Sequence, residues 1–286
     1  MIVVKVIRNK SANDFLELNE SILRKNITAN NFLLGQAVQS IKGISDYADI
    51  VFFTVFIDDQ VIGQALNTDK EHNLLVTKMP DFVAPYIIDE FIKHRGACQG
   101  VGGDIETAMA AVEVLGERWK KQYRLHDRLG VYELNDLMMP DSRGCSLISQ
   151  DEVNPNLALE WVAAFIKECD MTPNLDYVVE AKKVLKRHQK IKGLRFLKNS
   201  DGKIVSMAAK HREFEDRATV SFVYTPPKFR RNGYGKIVTA LLTDELLRGE
   251  YVQCNLFTDL LNPTSNKIYQ EIGYEFVGEN VSYLFY

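Results

Sequence analysis

Between residues 223 and 242 the chain reads "VYTPPKFRRNGYGKIVTALL", and the chemistry that this combination suits is the binding of an anion. Two prolines close a β-like run, Arg230, Arg231 and Lys236 add positive charge, and Gly233 and Gly235 open an apolar run with helical spacing. A helix start leaves backbone N–H groups without partners, and the macrodipole adds a partial positive charge of about 0.5 there. Glycines in the approach let those amides reach a phosphate without obstruction from Cβ atoms. Two better known phosphate loops do not fit. A Walker A loop needs Ser or Thr after its lysine, and Ile237 follows Lys236; a dinucleotide fingerprint needs a third glycine where Val238 stands. What remains is Arg230-x-x-Gly233-x-Gly235 between a strand and a helix.

The elements around this loop occur twice in the chain. "GLRFLKNSDGKIVSMAAKH" reads as a hairpin turning at Ser200-Asp201-Gly202, and "IVFFTVFIDDQVIGQALN" reads as another turning at Asp58-Asp59. Each is followed by a strand ending in proline, "ATVSFVYTPP" and "NLLVTKMP", and then by an amphipathic helix, "YGKIVTALLTDELL" and "APYIIDEFIKH". Gly249 and Gly96 are expected to end these helices with positive φ. A short strand, a further helix and a last strand complete each half, "LGVYELNDL" in the first and "YEFVGENVSYLFY" in the second. The turn-rich segment from 138 to 155 separates the halves, and "LALEWVAAFIKEC" and "LDYVVEAKKVLKRHQ" read as two helices opening the second. The pattern predicts an α/β fold, a mixed twisted sheet with helices on both faces, in two tandem domains of residues 1–145 and 146–286.

Composition narrows the classes of function. At 286 residues, 46% hydrophobic and 26% charged, the chain suits a globular protein with a sizeable core. A net charge of -3 gives no general footprint for nucleic acid. No run approaches the roughly 20 apolar residues of a membrane span, and Cys98, Cys145, Cys169 and Cys254 show neither metal-ligand spacing nor a disulfide framework. A cytoplasmic protein without a metal, acting as a monomer or homodimer, is the expectation. "GACQGVGGD", from 96 to 104, offers glycines for a second phosphate loop but lacks the arginine register, and the first-half counterpart of the opening stretch, "MPDFVAPYIIDEF", has neither glycine nor arginine.

Arg230, Gly233 and Gly235 fill the pattern Gln/Arg-x-x-Gly-x-Gly/Ala that binds pyrophosphate in the GCN5-related N-acetyltransferase superfamily, and the sequence resembles that family firmly over about residues 190–286. The strand "SFVYTPP", the helix after the loop and the later "NPTSNKIYQEIGYEFVG" supply its context. The resemblance implies an acyl-CoA N-acyltransferase fold, with a degenerate first domain lacking the cofactor loop and a catalytic second one. It implies acetyl-CoA as cosubstrate, a primary amine or peptide N-terminus as acceptor, and direct attack through a tetrahedral intermediate. Val223, Tyr224 and Thr225 would then run beside the pantetheine arm, and the amides of Arg231, Asn232, Gly233, Tyr234, Gly235 and Lys236 would hold the pyrophosphate. Asn262 and Ser265 would contact the cofactor, and the Tyr269 hydroxyl would protonate or hydrogen-bond the leaving thiolate.

Plainer readings stand beside these. Asn262 suits a helix N-cap with Pro263 at the first helical position, Tyr269 suits helix packing, and Glu213 and Glu215, near enough to serve as a base, suit a solvated turn. A non-catalytic acyl-CoA-binding module with the same loop is the alternative function.

Overall fold

Asp58 and Asp59 have φ of 47° and 65°, the left-handed pair with which a two-residue hairpin matches the twist of its strands. The same local logic holds at Asn199–Lys203, where Gly202 takes φ of 78°. The computed structural model describes residues 2–45, 47–169 and 176–286. Its first half runs β1 (Val4–Arg8), α1 (Ala12–Leu23), α2 (Ile27–Ile41), β2 (Val51–Ile57), β3 (Gln60–Asn67), β4 (Leu74–Val76), α3 (Ala84–His94), β5 (Gly100–Gly103), α4 (Ile105–Trp119) and β6 (Tyr123–Leu134). The second half repeats that order with β7 (Ser146–Ser149), α5 (Pro155–Glu168), α6 (Tyr177–Ile191), β8 (Leu194–Lys198), β9 (Ile204–Phe214), β10 (Arg217–Tyr224), α7 (Tyr234–Arg248), β11 (Gln253–Asp259), α8 (Pro263–Glu271) and β12 (Tyr274–Phe285). Leu175, where the sequence pattern starts α6, lies outside the described residues.

Two compact units result, and they are not the two halves of the sequence. The first comprises Met1–Val131 with Asp259–Leu261 and Val277–Tyr286; the second comprises Tyr132–Thr258 and Asn262–Phe276. Residue 145, the expected division, falls inside the second unit.

In the first unit the strand order is β1-β2-β3-β4-β5-β12-β6. β4 and β5 are parallel, and the pairs β1/β2, β2/β3, β3/β4 and β5/β12 are antiparallel. Alternation divides the side chains: Phe53 and Val55 join Ile87 and Phe91 of α3 and Val112 and Leu115 of α4, whereas Phe52 turns the other way to stack on Phe15 of α1 at 4.8 Å. The C-terminal strand belongs to this unit, with Val281 opposite Gly103 and Leu284 opposite Gly100, and the Phe285 ring meets Trp119 at 5.3 Å.

The glycines of "GACQGVGGD" serve this packing. A Cβ on Gly100 would lie 1.8 Å from the Tyr283 carbonyl oxygen, and one on Gly103 would lie 2.0 Å from that of Val76. Strand-to-strand approach requires them, and they sit in a ladder instead of a phosphate loop. Pairing of β4 with β5 continues to Val76 and Gly103, and Asp104 N donates to Val76 O. Just beyond, the Thr107 hydroxyl accepts from Met79 N and donates to Met79 O, both at 3.0 Å.

In the second unit the order is β7-β8-β9-β10-β11, followed by the end of β6, and β10 and β11 are the parallel pair. One face buries Val220, Cys254 and Leu256 against Ile237, Val238 and Leu242 of α7 and Tyr269 of α8. The other buries Phe196, Met207 and Phe222 against Trp161, Val162 and Ile166 of α5 and Ala181 of α6. Gly96 ends α3 with φ of 73°, as expected. Gly249 does not: its φ is -90° with ψ of -115°, so its glycine answers to an unusual ψ.

Candidate active site

The site begins where two parallel strands part. The ladder between β10 and β11 runs from Arg217 opposite Gln253 to Val220 opposite Leu256. On its other edge β10 is bulged: Ser221 faces Ala209 and Tyr224 faces Met207, so three steps of β10 match two of β9. The extra residue is Phe222, with φ of 51°. An aromatic residue in that region costs about 1–2 kcal/mol, offset here by burial of its ring beside Phe165, His211 and His188 at 4.9, 5.3 and 5.6 Å. The bulge breaks the alternation, so Val220 and Val223 pack on one face while Phe222 and Tyr224 pack on the other.

Past the bulge the strand end is fixed by side chains. Ser206 Oγ donates to Tyr224 O at 2.9 Å and lies 2.9 Å from Thr225 Oγ1. The Thr225 carbonyl accepts from Arg230 Nε at 2.9 Å. Of the residues expected beside a pantetheine arm, Thr225 therefore keeps its N–H but not its carbonyl for a ligand. The Tyr224 hydroxyl donates to Glu168 at 3.3 Å, and burial, with that carboxylate second, raises its pKa.

A single 3-10 turn at Pro227–Phe229 then leads into the loop. Arg231 and Gly233 take φ of 65° and 75°, and Gly233 is the N-cap of α7 without a side-chain cap. A Cβ on Gly233 would meet no atom within 4 Å, so the loop is open on that side; a Cβ on Gly235 would touch Ile268 and Thr225 at 3.5 and 3.6 Å, in ordinary contact. The first amides of α7 and the left-handed residue before them form a concave N–H array of the kind that holds oxyanions. Its cations differ in freedom. Arg230 pairs with Glu168 at 2.6 Å and Lys236 with Glu271 at 2.9 Å, whereas Arg231 is exposed and makes no hydrogen bond or ion pair among the described residues. Asn232 turns its amide back to the Phe229 and Arg230 carbonyls, and Arg143 donates to Asn232 O at 3.2 Å. Tyr234 packs on the α7 core.

α8 brings the remaining residues. Asn262 is its N-cap, with Oδ1 accepting from Ser265 N at 3.1 Å and Pro263 in the first turn, so the plainer reading of Asn262 is realised. Tyr269 is 7% exposed, with its hydroxyl hydrogen-bonded to the Ser265 side chain and its ring 6.4 Å from that of Tyr274. Burial pushes the Tyr269 phenol well above its ordinary value, and the thiol of Cys169, at the end of α5, adds to the shift. The structure thus places Val223 to Thr225, Arg230 to Lys236, Asn262, Ser265 and Tyr269 on elements that meet at the C-terminal end of β10.

Glu213 and Glu215 are elsewhere. Glu213 faces Ala218 and is taken by Lys210 at 2.6 Å and by the Tyr251 hydroxyl. Glu215 sits in the β9–β10 turn, roughly 23 Å from Phe222 at about 3.3 Å per residue. Sequence reasoning missed Glu168, Ser206 and Arg143, which act on the strand end and loop from 62, 19 and 89 residues away. Among the described residues no three His, Cys, Asp or Glu side chains converge as a metal site requires, and no helix is long and apolar enough to cross a membrane.

A family model described as FR47-like protein matches residues 200–283, the span that holds the bulge, the loop and α8. No curated protein matches the sequence. Solved structures resemble the whole chain at low identity. An acetyltransferase of the GNAT family from Colwellia psychrerythraea is 14% identical with a TM-score of 0.58, covering 99% of this chain and 100% of that one. A GCN5-related N-acetyltransferase from Kribbella flavida is 17% identical with a TM-score of 0.59, covering 91% and 95%. A tandem GNAT protein from the clavulanic acid biosynthesis pathway is 11% identical with a TM-score of 0.52, covering 99% and 98%. At such identities these likenesses speak for the fold, two tandem acyltransferase-type domains.

Proposed function

We propose that this chain is a member of the GCN5-related N-acetyltransferase superfamily that moves an acetyl group from acetyl-CoA to an amine acceptor, and that it does so in its second unit; the FR47-like match over residues 200–283 and the likeness of fold support the reading. The observation that carries this reading is the parting of β10 from β11 after Val220, directly beside an uncapped helix N-terminus. A parted pair of parallel strands offers unpaired main-chain groups to an amide-bearing arm, and the amides from Arg231 to Lys236 suit its diphosphate. The residues fit the cosubstrate in two further respects: the loop is open where a Cβ on Gly233 would stand, and Arg231 is an exposed cation without a polar partner among the described residues. Acetyl-CoA bound there supplies an acyl group activated as a thioester.

The chain's own residues then have three tasks. Main-chain N–H groups around Val223 to Thr225 face the charge that develops on the acyl oxygen, as oxyanion stabilisation requires. Tyr269 donates a hydrogen bond toward the departing sulfur. With its phenol raised by burial and a thiol near pKa ~8.5, complete proton transfer from tyrosine to thiolate is uphill, so the phenol stabilises the thiolate without losing its proton. The acceptor amine must arrive neutral, since an alkyl ammonium near pKa ~10.4 has no lone pair to attack with.

The first unit is assigned no turnover. Its β4–β5 ladder stays closed through Val76 and Gly103, and Thr107 occupies both main-chain groups of Met79, where the second unit leaves its strand end to the loop. Thiol release from acetyl-CoA in the presence of a panel of small amines and peptide N-termini tests the proposal. Tight CoA binding with no amine-dependent release, unaffected by Tyr269→Phe, refutes the enzymatic reading in favour of a binding module.

A further inference from the structure

We infer that Arg230, the first fixed residue of the phosphate motif, is a strut of the cofactor slot positioned by Glu168, and that Arg231 supplies the charge that meets the phosphates. This rests on the acetyl-CoA reading of the site and assigns different work to two neighbouring arginines within it.

The guanidinium of Arg230 is committed in two directions at once. Nε donates to Thr225 O at 2.9 Å and Nη2 to Glu168 Oε2 at 2.6 Å, while the group lies 5.8 Å from the centre of the Tyr224 ring. Glu168 uses its other oxygen for the Tyr224 hydroxyl at 3.3 Å. One helical face of α5 thus grips Tyr224 twice, because Trp161, seven residues before Glu168, meets the same ring at 6.2 Å. Together with Ser206 on Tyr224 O, these contacts hold Tyr224 and Thr225, the second and third residues past Phe222. The tie runs from the loop to the strand end and leaves the Arg230 charge neutralised by a carboxylate. Arg231 has the opposite character: it stands on the left-handed turn residue before Asn232, exposed and without a polar partner among the described residues.

The two kinds of contribution separate chemically. A strut shapes the groove for the amide-bearing arm and is indifferent to phosphate; a phosphate cation is indifferent to the arm. CoA and S-acetylpantetheine, which has the arm and the thioester but no phosphate, distinguish them. Glu168→Gln and Arg230→Met should each weaken both ligands, measured by calorimetry, by about fivefold, the scale of a half-exposed ion pair. The double variant should be no weaker than either single one, since the two residues act as one pair. Arg230→Lys should behave like Arg230→Met, because the one nitrogen of an ammonium cannot stand where both Nε and Nη2 of the planar fork stand. Arg231→Ala should weaken CoA by about fivefold, less at high salt, and leave S-acetylpantetheine unchanged, and Arg231→Lys should restore it.

Thermal unfolding without ligand controls for folding and should be little changed by any of these half-exposed substitutions. Loss of CoA affinity alone in Arg230→Met, restored by Arg230→Lys, would make Arg230 a phosphate ligand and overturn the inference. Tighter CoA binding by Glu168→Gln would overturn it as well, by showing that Glu168 withholds Arg230 from the phosphates. A wild-type protein that binds neither ligand refutes the acetyl-CoA site itself, and the inference with it.

Discussion

Gly233 and Gly235 stand two residues apart in one motif, yet the structure gives them different reasons to be glycine, and replacing each with alanine should show it. Gly233 has φ of 75° and open space where a Cβ would stand, so its cost is one of backbone conformation alone. A left-handed alanine costs about 1–2 kcal/mol, and the stiffer unfolded chain returns about 0.4–1 kcal/mol. Gly233→Ala should therefore lose about 0.5–1 kcal/mol, or about 2 °C at 2–4 °C per kcal/mol for a domain of this size. Gly235 is the second residue of α7, and its Cβ would make ordinary contacts at 3.5 and 3.6 Å. Gly235→Ala should gain up to about 1 kcal/mol from helix propensity, with the midpoint rising by about 2 °C. Gly235→Val adds two carbons against Ile268 and Thr225 and should lose about 1–3 kcal/mol. Ligand effects should run in parallel. CoA at a hundred times its Kd stabilises by about 2.7 kcal/mol; that increment should survive in Gly235→Ala and fall by at least half in Gly233→Ala, whose strain is relieved by turning the loop amides. Thermal unfolding with and without CoA reads all these quantities. A Gly235→Ala protein less stable than Gly233→Ala, or equal loss of the CoA increment in both, would refute the reasoning.

Four further outcomes are expected. Tyr269→Phe should lower kcat by about tenfold to a hundredfold, the value of one hydrogen bond to a charged atom, with KM for acetyl-CoA nearly unchanged in steady-state assays. The raised phenols of Tyr269 and Tyr274 are held protonated in the fold, so their contribution to stability is complete below pH ~10 and should be lost as pH rises above it, seen as a falling urea midpoint in alkaline titration. His188 is the converse case: burial lowers its pKa from 6.5 to about 3, and neither ring nitrogen has a hydrogen-bond partner among the described residues. Its contribution is complete above pH 6.5 and is lost as pH falls toward 3, amounting to at most about 2 kcal/mol by pH 5. His188→Leu should keep stability at pH 7 and flatten that acid limb. Deleting residues 277–286 should remove the antiparallel partner of β5 and raise hydrogen exchange at residues 100–103 to the rate of an open edge.

The fold was legible where local chemistry decides it. Asp58-Asp59 and the Ser200-Asp201-Gly202 turn fix their hairpins by backbone preference, and Asp104 and Asn262 start α4 and α8 by capping. α1 and α2 were harder to read, because their inner faces bury Asn19, Thr28, Asn31 and Gln36 among the apolar residues and blur the helical period. The "GVGG" strand offered glycines for a phosphate loop and only the missing arginine register spoke against one, since glycine demanded by a neighbouring strand's carbonyl is indistinguishable in sequence from glycine demanded by a ligand. At the site, Arg230, Gly233 and Gly235 announced the loop, but the bulge did not show: "SFVY" has the residue types of any buried strand, and only the long-range packing of Phe222 selects φ of 51°. Glu168 carried no signal at all, lying 62 residues from the arginine that it holds.

The placement of residues 277–286 in the first unit has a meaning in time as well as in space. The unit that contains residue 2 cannot be closed by anything the ribosome has made when Val131 emerges; its missing strand follows roughly 150 residues later, about 10–30 s at ordinary rates of synthesis. Throughout that interval β5 is an unpaired edge, and an unpaired edge invites strands from other chains. Of the two units, the one whose synthesis begins first is therefore the one finished last.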